Sequence, residues 1–199
     1  MTRRVPLAAI ICDAALEASV IGSFSRLGFA ARARMFGWDT AETDRLTARR
    51  ILITGANSGL GFAATVALLS GGATVVATTR SAANSEQLQA RVTALLGDSV
   101  AARLITDEVD LDDLTAVQAF ATRHAAGALD TLIHNAGALS HTYGQTVDGF
   151  ERTVQAHVLA PFLLTTLLRP TLERCAPARV ITVTSGGLYT AKLNPELFN

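Results

Sequence analysis

From Arg49 onward, short runs of Val, Ile, Leu and Thr alternate with longer Ala- and Leu-rich segments whose apolar positions recur at helical spacing. Runs of the first kind lie at Arg50–Thr54, Thr74–Thr79, Arg103–Val109, Thr131–His134 and Arg179–Thr184, and each reads as a strand buried on both faces. Four helices fit between them. The first covers Leu60–Ser70 and closes at Gly71-Gly72; the second covers Asn84–Leu96 and closes at Gly97. Asp112 caps a third that reaches Ala126, and Asp148 starts a fourth that runs to Leu168 and stops before Pro170. Strands separated by helices predict β-α-β units around a parallel sheet. Ahead of them Leu16, Val20, Phe24 and Leu27 recur at i, i+4, i+8 and i+11, which predicts one amphipathic helix. The chain thus divides into an N-terminal helical extension over residues 1–48 and a sheet domain over 49–199.

Composition narrows the function classes. With 49% hydrophobic and 17% charged residues the chain has the makings of a packed core, not of a disordered tail. Lys and Arg number 17 and Asp and Glu number 17, so no net field draws it to nucleic acid. Before Trp38 the balance is basic, Arg3, Arg4, Arg26, Arg32 and Arg34 outweighing Asp13 and Glu17; the expectation is a helix docked on protein rather than on a membrane surface. The charge-free stretches Val5–Cys12 and Ala18–Ser25 are too short to span a bilayer, and Asp13 interrupts the only segment resembling a signal sequence. Cys12 and Cys175 stand far apart, and His124, His134 and His141 have no metal-ligand spacing, so no metal site and a reducing cytoplasm are expected.

Thr54-Gly55-Ala56-Asn57-Ser58-Gly59-Leu60-Gly61 sits where the first strand becomes the first helix, the place at which a Rossmann-type, doubly wound sheet binds pyrophosphate. Gly55 permits the tight turn, Gly59 lets backbone approach phosphate without a Cβ, and Gly61 lets the helix pack closely. The only lysine is Lys192, far from this loop, which excludes a P-loop NTPase. NAD sites place Asp or Glu at the end of the second strand to hold ribose hydroxyls, and that position reads Thr79-Arg80. An acid would repel a ribose 2′-phosphate and a guanidinium attracts it, so NADP(H) is expected over NAD(H).

Together these segments resemble the short-chain dehydrogenase/reductase superfamily: the glycine signature at Thr54–Gly61, the acidic position Asp110-Leu111, and Asn135-Ala136-Gly137 after the fourth strand. The N-terminal Ser25-Arg26-Leu27-Gly28-Phe29 resembles the branch near dehydrogenase/reductase SDR family member 12. The resemblance covers Arg49 to about Lys192. It implies hydride transfer between a nicotinamide cofactor and a small carbonyl or alcohol, with Asp110 and Leu111 toward adenine. It also implies that Ser185, after the fifth strand, orients the substrate oxygen. His157 falls where the family's helix often has Asn, as a core residue or as a polar group in a water relay.

The family's Tyr-x-x-x-Lys pair has no counterpart. Tyr143 and Tyr189 are the only tyrosines, and Tyr189-Thr190-Ala191-Lys192 has a spacing of three and follows Ser185 too soon. The expectation is a five-strand front part of such an enzyme, with strands six and seven missing, an apolar edge at Val180, Ile181 and Val183, and possible homo-oligomerisation through it. A noncatalytic NADP(H)-binding regulatory or interaction module is the alternative that keeps the loop without the acid/base pair.

Overall fold

A computed structural model describes residues 6–19, 22, 25–37, 46–138 and 142–185. Residues 43–183 form one compact unit, and the described residues of 1–42 and 184–199 belong to another.

Within the first of these units, five strands form one parallel sheet: β1 (Arg50–Ile53), β2 (Thr74–Thr79), β3 (Leu104–Glu108), β4 (Thr131–His134) and β5 (Arg179–Thr182). Their spatial order is β3-β2-β1-β4-β5. The chain winds outward from β1 to β3 and then returns to the other side of β1, so the switch point lies between the carboxyl ends of β1 and β4. Ligands bind there in open sheets of this kind.

Successive side chains of a strand point to opposite faces, and both faces are covered. Ile51, Ile53, Val75 and Ala77 meet Leu69, Leu88 and Val92 on one side. These last come from α3 (Gly59–Ser70) and α4 (Ala82–Leu96). A single turn, α5 (Asp98–Ala101), follows α4 and leads into β3. On the other side Leu52, Val76 and Leu132 meet Phe120, Leu164 and Leu168. The helices there are α6 (Leu114–His124) and α8 (Ala160–Glu173), the latter preceded by a short α7 (Arg152–Val154) and a π-helical turn over Gln155–Leu159. The two outer strands depart from the expectation of burial on both faces. All four residues of β5 are exposed, and of β3 only Leu104 is buried.

Several helix boundaries also differ from the sequence reading, each because another group took the expected role. Asp113, not Asp112, caps α6 by accepting from the Thr115 and Ala116 amides, while Asp112 pairs with Arg152. Glu151, not Asp148, caps α7; the Asp148 carboxylate instead accepts from the Leu114 amide and the Gln155 side chain. α8 runs through Pro170 because the turn beyond it is anchored in the core. Thr171 and Leu172 are buried, and the Thr171 hydroxyl donates to the Ala125 carbonyl.

In the other unit the described residues hold α1 (Leu7–Glu17) and α2 (Arg26–Phe36) as separate helices where one was expected. The Ser19 hydroxyl accepts from the Gly22 amide, and Ser25 caps α2 by accepting from the Gly28 amide. Leu16 and Leu27 consequently lie on different helices, Leu27 being exposed; Val20 and Phe24 lie outside the described residues. The Asp13–Arg32 ion pair joins the helices. No described helix is long and apolar enough to cross a membrane.

Candidate functional site

The carboxyl ends of β1 and β4 are locked together by residues of the two motifs that follow them. The Thr54 hydroxyl, buried, accepts from the amides of Asn135 (3.1 Å) and Ala136 (3.0 Å). The Asn135 side-chain amide donates in return to the carbonyls of Thr54 (3.0 Å) and Gly55 (3.1 Å). Two glycines make this approach possible. Gly55 has φ +69°, and a Cβ there would lie 2.7 Å from the Ala136 Cα; a Cβ on Gly61 would lie 2.2 Å from the Gly55 carbonyl oxygen. Gly59 differs from both. Its φ is +54°, yet a Cβ would meet nothing within 4 Å, so its missing side chain leaves open space at the start of α3. No side chain caps that helix, whose N-cap position is Ser58.

Beside this lock is a cleft of about 680 Å³, lined by Gly55, Asn57 and Ser58 on one wall and by Ala136, Gly137 and Ala138 on another. Thr78, Thr79, Arg80 and Asn84 line it at the end of β2, and Val109, Asp110, Leu111 and Asp112 line it after β3. Sequence-selected residues from four separate segments therefore converge. Thr54, Asn135 and Gly61 shape the lock behind the cleft, and Gly59 and Leu60 open α3, Leu60 being exposed.

At the end of β2, Thr79 and Arg80 divide the work. The Thr79 hydroxyl is buried, pairs with Ser85 at 2.7 Å and reaches the Ser81 carbonyl, so it holds the turn on which this part of the cleft is built. Arg80 is exposed on the rim. Ser81 caps α4 by accepting from the Asn84 amide, and thus aims the helix's N-terminal end at the cleft beside Arg80. On the opposite rim the Asp110 carboxylate accepts from the Asp112 amide, and Asp112 pairs with Arg152 at 3.0 Å.

Residues the sequence reading did not select include Thr78, Asn84, Arg152, Thr153 and Ala156. Asn84, three residues after the capping serine, had a local signal. Arg152, Thr153 and Ala156 reach the cleft only because α7 and the π turn fold back across it. His157 lies next to Ala156, and its Nε2 accepts from the Ala138 amide at 3.1 Å, bracing the cleft wall from behind. Ser185 is exposed and follows β5 by three residues, beyond unit 43–183. Tyr189 and Lys192 lie outside the described residues. Tyr143 is exposed, and its hydroxyl accepts from Gln145.

The short chain dehydrogenase family model matches residues 49–192. The chain belongs to that family. Over 76% of its length it is 36% identical to Retinol dehydrogenase 14 of Mus musculus, covering 48% of that protein. Over 92% it is 29% identical to Dehydrogenase/reductase SDR family member 12 of Bos taurus, covering 57%. The chain spans about half the length of these curated relatives. Among solved structures it resembles a short chain dehydrogenase from Escherichia coli CFT073 complexed with NADPH, with TM-score 0.64 and 27% identity, over 77% of this chain and 65% of that one. The family consists of oxidoreductases that bind nicotinamide cofactors, and the cleft suits one. A phosphate can approach the open space at Gly59, and no carboxylate stands beside it at the end of β2.

Proposed function

We propose that this cleft binds NADP(H) and that the chain serves an oxidoreductase exchanging hydride with a small carbonyl or alcohol. The backbone of Gly55–Gly61 and the start of α3 would take the pyrophosphate. Arg80 and the Ser81-capped end of α4 would take the ribose 2′-phosphate, and Asp110, Leu111 and Val109 the adenine. When bound, the nicotinamide supplies or accepts the hydride. Asn135, Ala136 and Gly137 would shape the wall toward it, and His157 would hold that wall through the Ala138 amide. Ser185 is the candidate for orienting the substrate oxygen, on the strength of its position after the fifth strand. The name of the mouse relative makes retinol and retinal the first substrate pair to try.

The observation that carries this reading is Arg80, exposed on the cleft rim where an NAD site would hold an acid. Calorimetric titration of NADPH and NADH into wild type and Arg80→Asp tests it. Wild type should prefer NADPH. The variant should lose about 1.5–3 kcal/mol of NADPH binding, the range for a charge-assisted contact, and keep its NADH affinity. Equal affinities in wild type, or an unchanged preference in the variant, would overturn the assignment.

A further inference from the structure

Asn57, in the middle of the glycine loop, is poorly held by its own side chain. Its Nδ2 reaches Gln87 at a long 3.4 Å, and its Oδ1 is enclosed without a partner. Its main chain is held by a residue 34 positions away: Arg91 of α4 donates through Nη1 to the Asn57 carbonyl at 2.7 Å. The same guanidinium lies 3.7 Å from the ring centroid of Phe62, in the first turn of α3. Arg91 is partly buried and does not line the cleft. One planar cation therefore bridges the loop, the helix that the loop opens, and the neighbouring helix whose own N-terminal end faces the 2′-phosphate side. Stacking on Phe62 fixes the guanidinium plane, so its donor stays aimed at the loop with little rotamer freedom left to lose.

We infer that Arg91 is a positioning residue for the phosphate loop, holding the Asn57 peptide so that the backbone donors of Asn57–Gly61 are arranged before the cofactor arrives. This rests on the cofactor reading above. Its consequence is specific. Arg91 acts on the pyrophosphate, which NADPH and NADH share, whereas Arg80 acts on the 2′-phosphate, which only NADPH has. Preorganisation of a loop appears as affinity because the ordering cost is met before binding.

The test titrates NADPH, NADH and adenosine 2′-monophosphate, which has no pyrophosphate, into the full chain as wild type, Arg91→Ala, Arg91→Lys and Phe62→Leu, with a thermal melt of each. Arg91→Ala should weaken both dinucleotides by the same factor, about five- to tenfold, as expected of a loosened loop that has lost one charge-assisted bond. The NADPH-to-NADH ratio and the affinity for adenosine 2′-monophosphate should not move. Phe62→Leu should act in the same direction and more weakly, and Arg91→Lys should recover part of the loss. A lowered melting temperature with both dinucleotide affinities unchanged would reduce Arg91 to a stabilising contact and overturn the proposal. A loss confined to NADPH and adenosine 2′-monophosphate would also overturn it, by placing Arg91 at the 2′-phosphate. If Arg91→Ala does not fold, equal losses of NADPH and NADH in Phe62→Leu and Arg91→Lys are required instead. Wild type that binds neither dinucleotide would overturn the cofactor reading itself, an outcome distinct from tight binding that Arg91→Ala leaves intact.

Discussion

Thr54→Val removes one oxygen from the lock between β1 and β4 and leaves the shape of the side chain almost unchanged. Thr54 is 2% exposed, and its hydroxyl accepts two main-chain bonds, from Asn135 at 3.1 Å and Ala136 at 3.0 Å. Valine leaves both amides without that acceptor on the half-buried wall of the cleft. Each buried donor left unpaired costs about 1–3 kcal/mol, so two such donors, half-buried here, should cost roughly 2–5 kcal/mol. For a chain of this size that corresponds to a fall in melting temperature of roughly 5–15 °C. Thr54→Ser is the matched control, since it keeps the hydroxyl and loses only a methyl group, at about 1 kcal/mol. Urea unfolding followed by far-ultraviolet circular dichroism measures both, with an unchanged denaturant slope showing that the end states are comparable. Hydrogen exchange adds a local readout, because the Asn135 and Ala136 amides should exchange faster in the valine variant alone. A valine variant as stable as the serine variant would refute the reasoning, for it would mean that volume and not hydrogen bonding holds the two strand ends together.

Two further outcomes concern the glycine loop and two titratable groups of the sheet domain. Gly59→Val should abolish dinucleotide binding with the far-ultraviolet spectrum retained, because the new side chain would fill the open space at a φ that β-branched residues disfavour; unchanged affinity would exclude the loop as the phosphate site. Acid should weaken the fold in two stages, measured by denaturant unfolding across pH. His134 is buried against Thr165, and burial holds its pKa below the ordinary imidazole value, so its contribution is complete above about pH 6.5 and declines as pH falls toward the folded value. For Asp107, burial pushes the carboxyl upward, but hydrogen bonds from Arg123 and His124, the Arg123 charge and the Glu108 amide more than offset this and hold it low. Its contribution is complete above about pH 4 and is lost below. His134→Gln should flatten the first stage and spare the second, and equal slopes in variant and wild type just below about pH 6.5 would count against it.

What was legible in the sequence is what is local in the chain. β2 and β4 begin and end where their β-branched runs do, and the glycine loop carries its geometry in consecutive residues. Helix starts were less legible because two carboxylates compete for each cap. Nothing local shows that Asp112 is taken by Arg152, or that Asp148 is taken by the Leu114 amide. Pro170 illustrates the reverse case, a strong local stop overridden by the burial of Thr171 and Leu172. In the extension, the apolar period alone carries no information about Ser19 and Ser25, whose side chains accept from the Gly22 and Gly28 amides beyond α1 and at the start of α2. The cleft followed the same division. The loop, the β2 end and the Asn135 motif were each found separately, whereas the bonds joining Asn135 to Gly55 and Arg91 to Asn57 span 80 and 34 residues and belong to the fold.

The π turn at Gln155–Leu159 gives this segment a constraint of length that no single side chain carries. Arg152 and Thr153 upstream of it and Ala156 within it line the cleft; downstream, Ala160, Leu164, Leu168 and Leu172 fill the core. A π turn accommodates one residue more than an α turn and so acts as a phase shift between two stretches that face different things. Deleting one residue there and restoring an unbroken α-helix would turn everything that follows by about 100°, carrying the leucine stripe away from the sheet. Gln155 pins the shift in place, since it is fully buried and its amide bonds to Thr146, Asp148 and the Leu111 carbonyl on the cleft wall. Among family members, then, this stretch should admit changes of residue far more readily than changes of residue number.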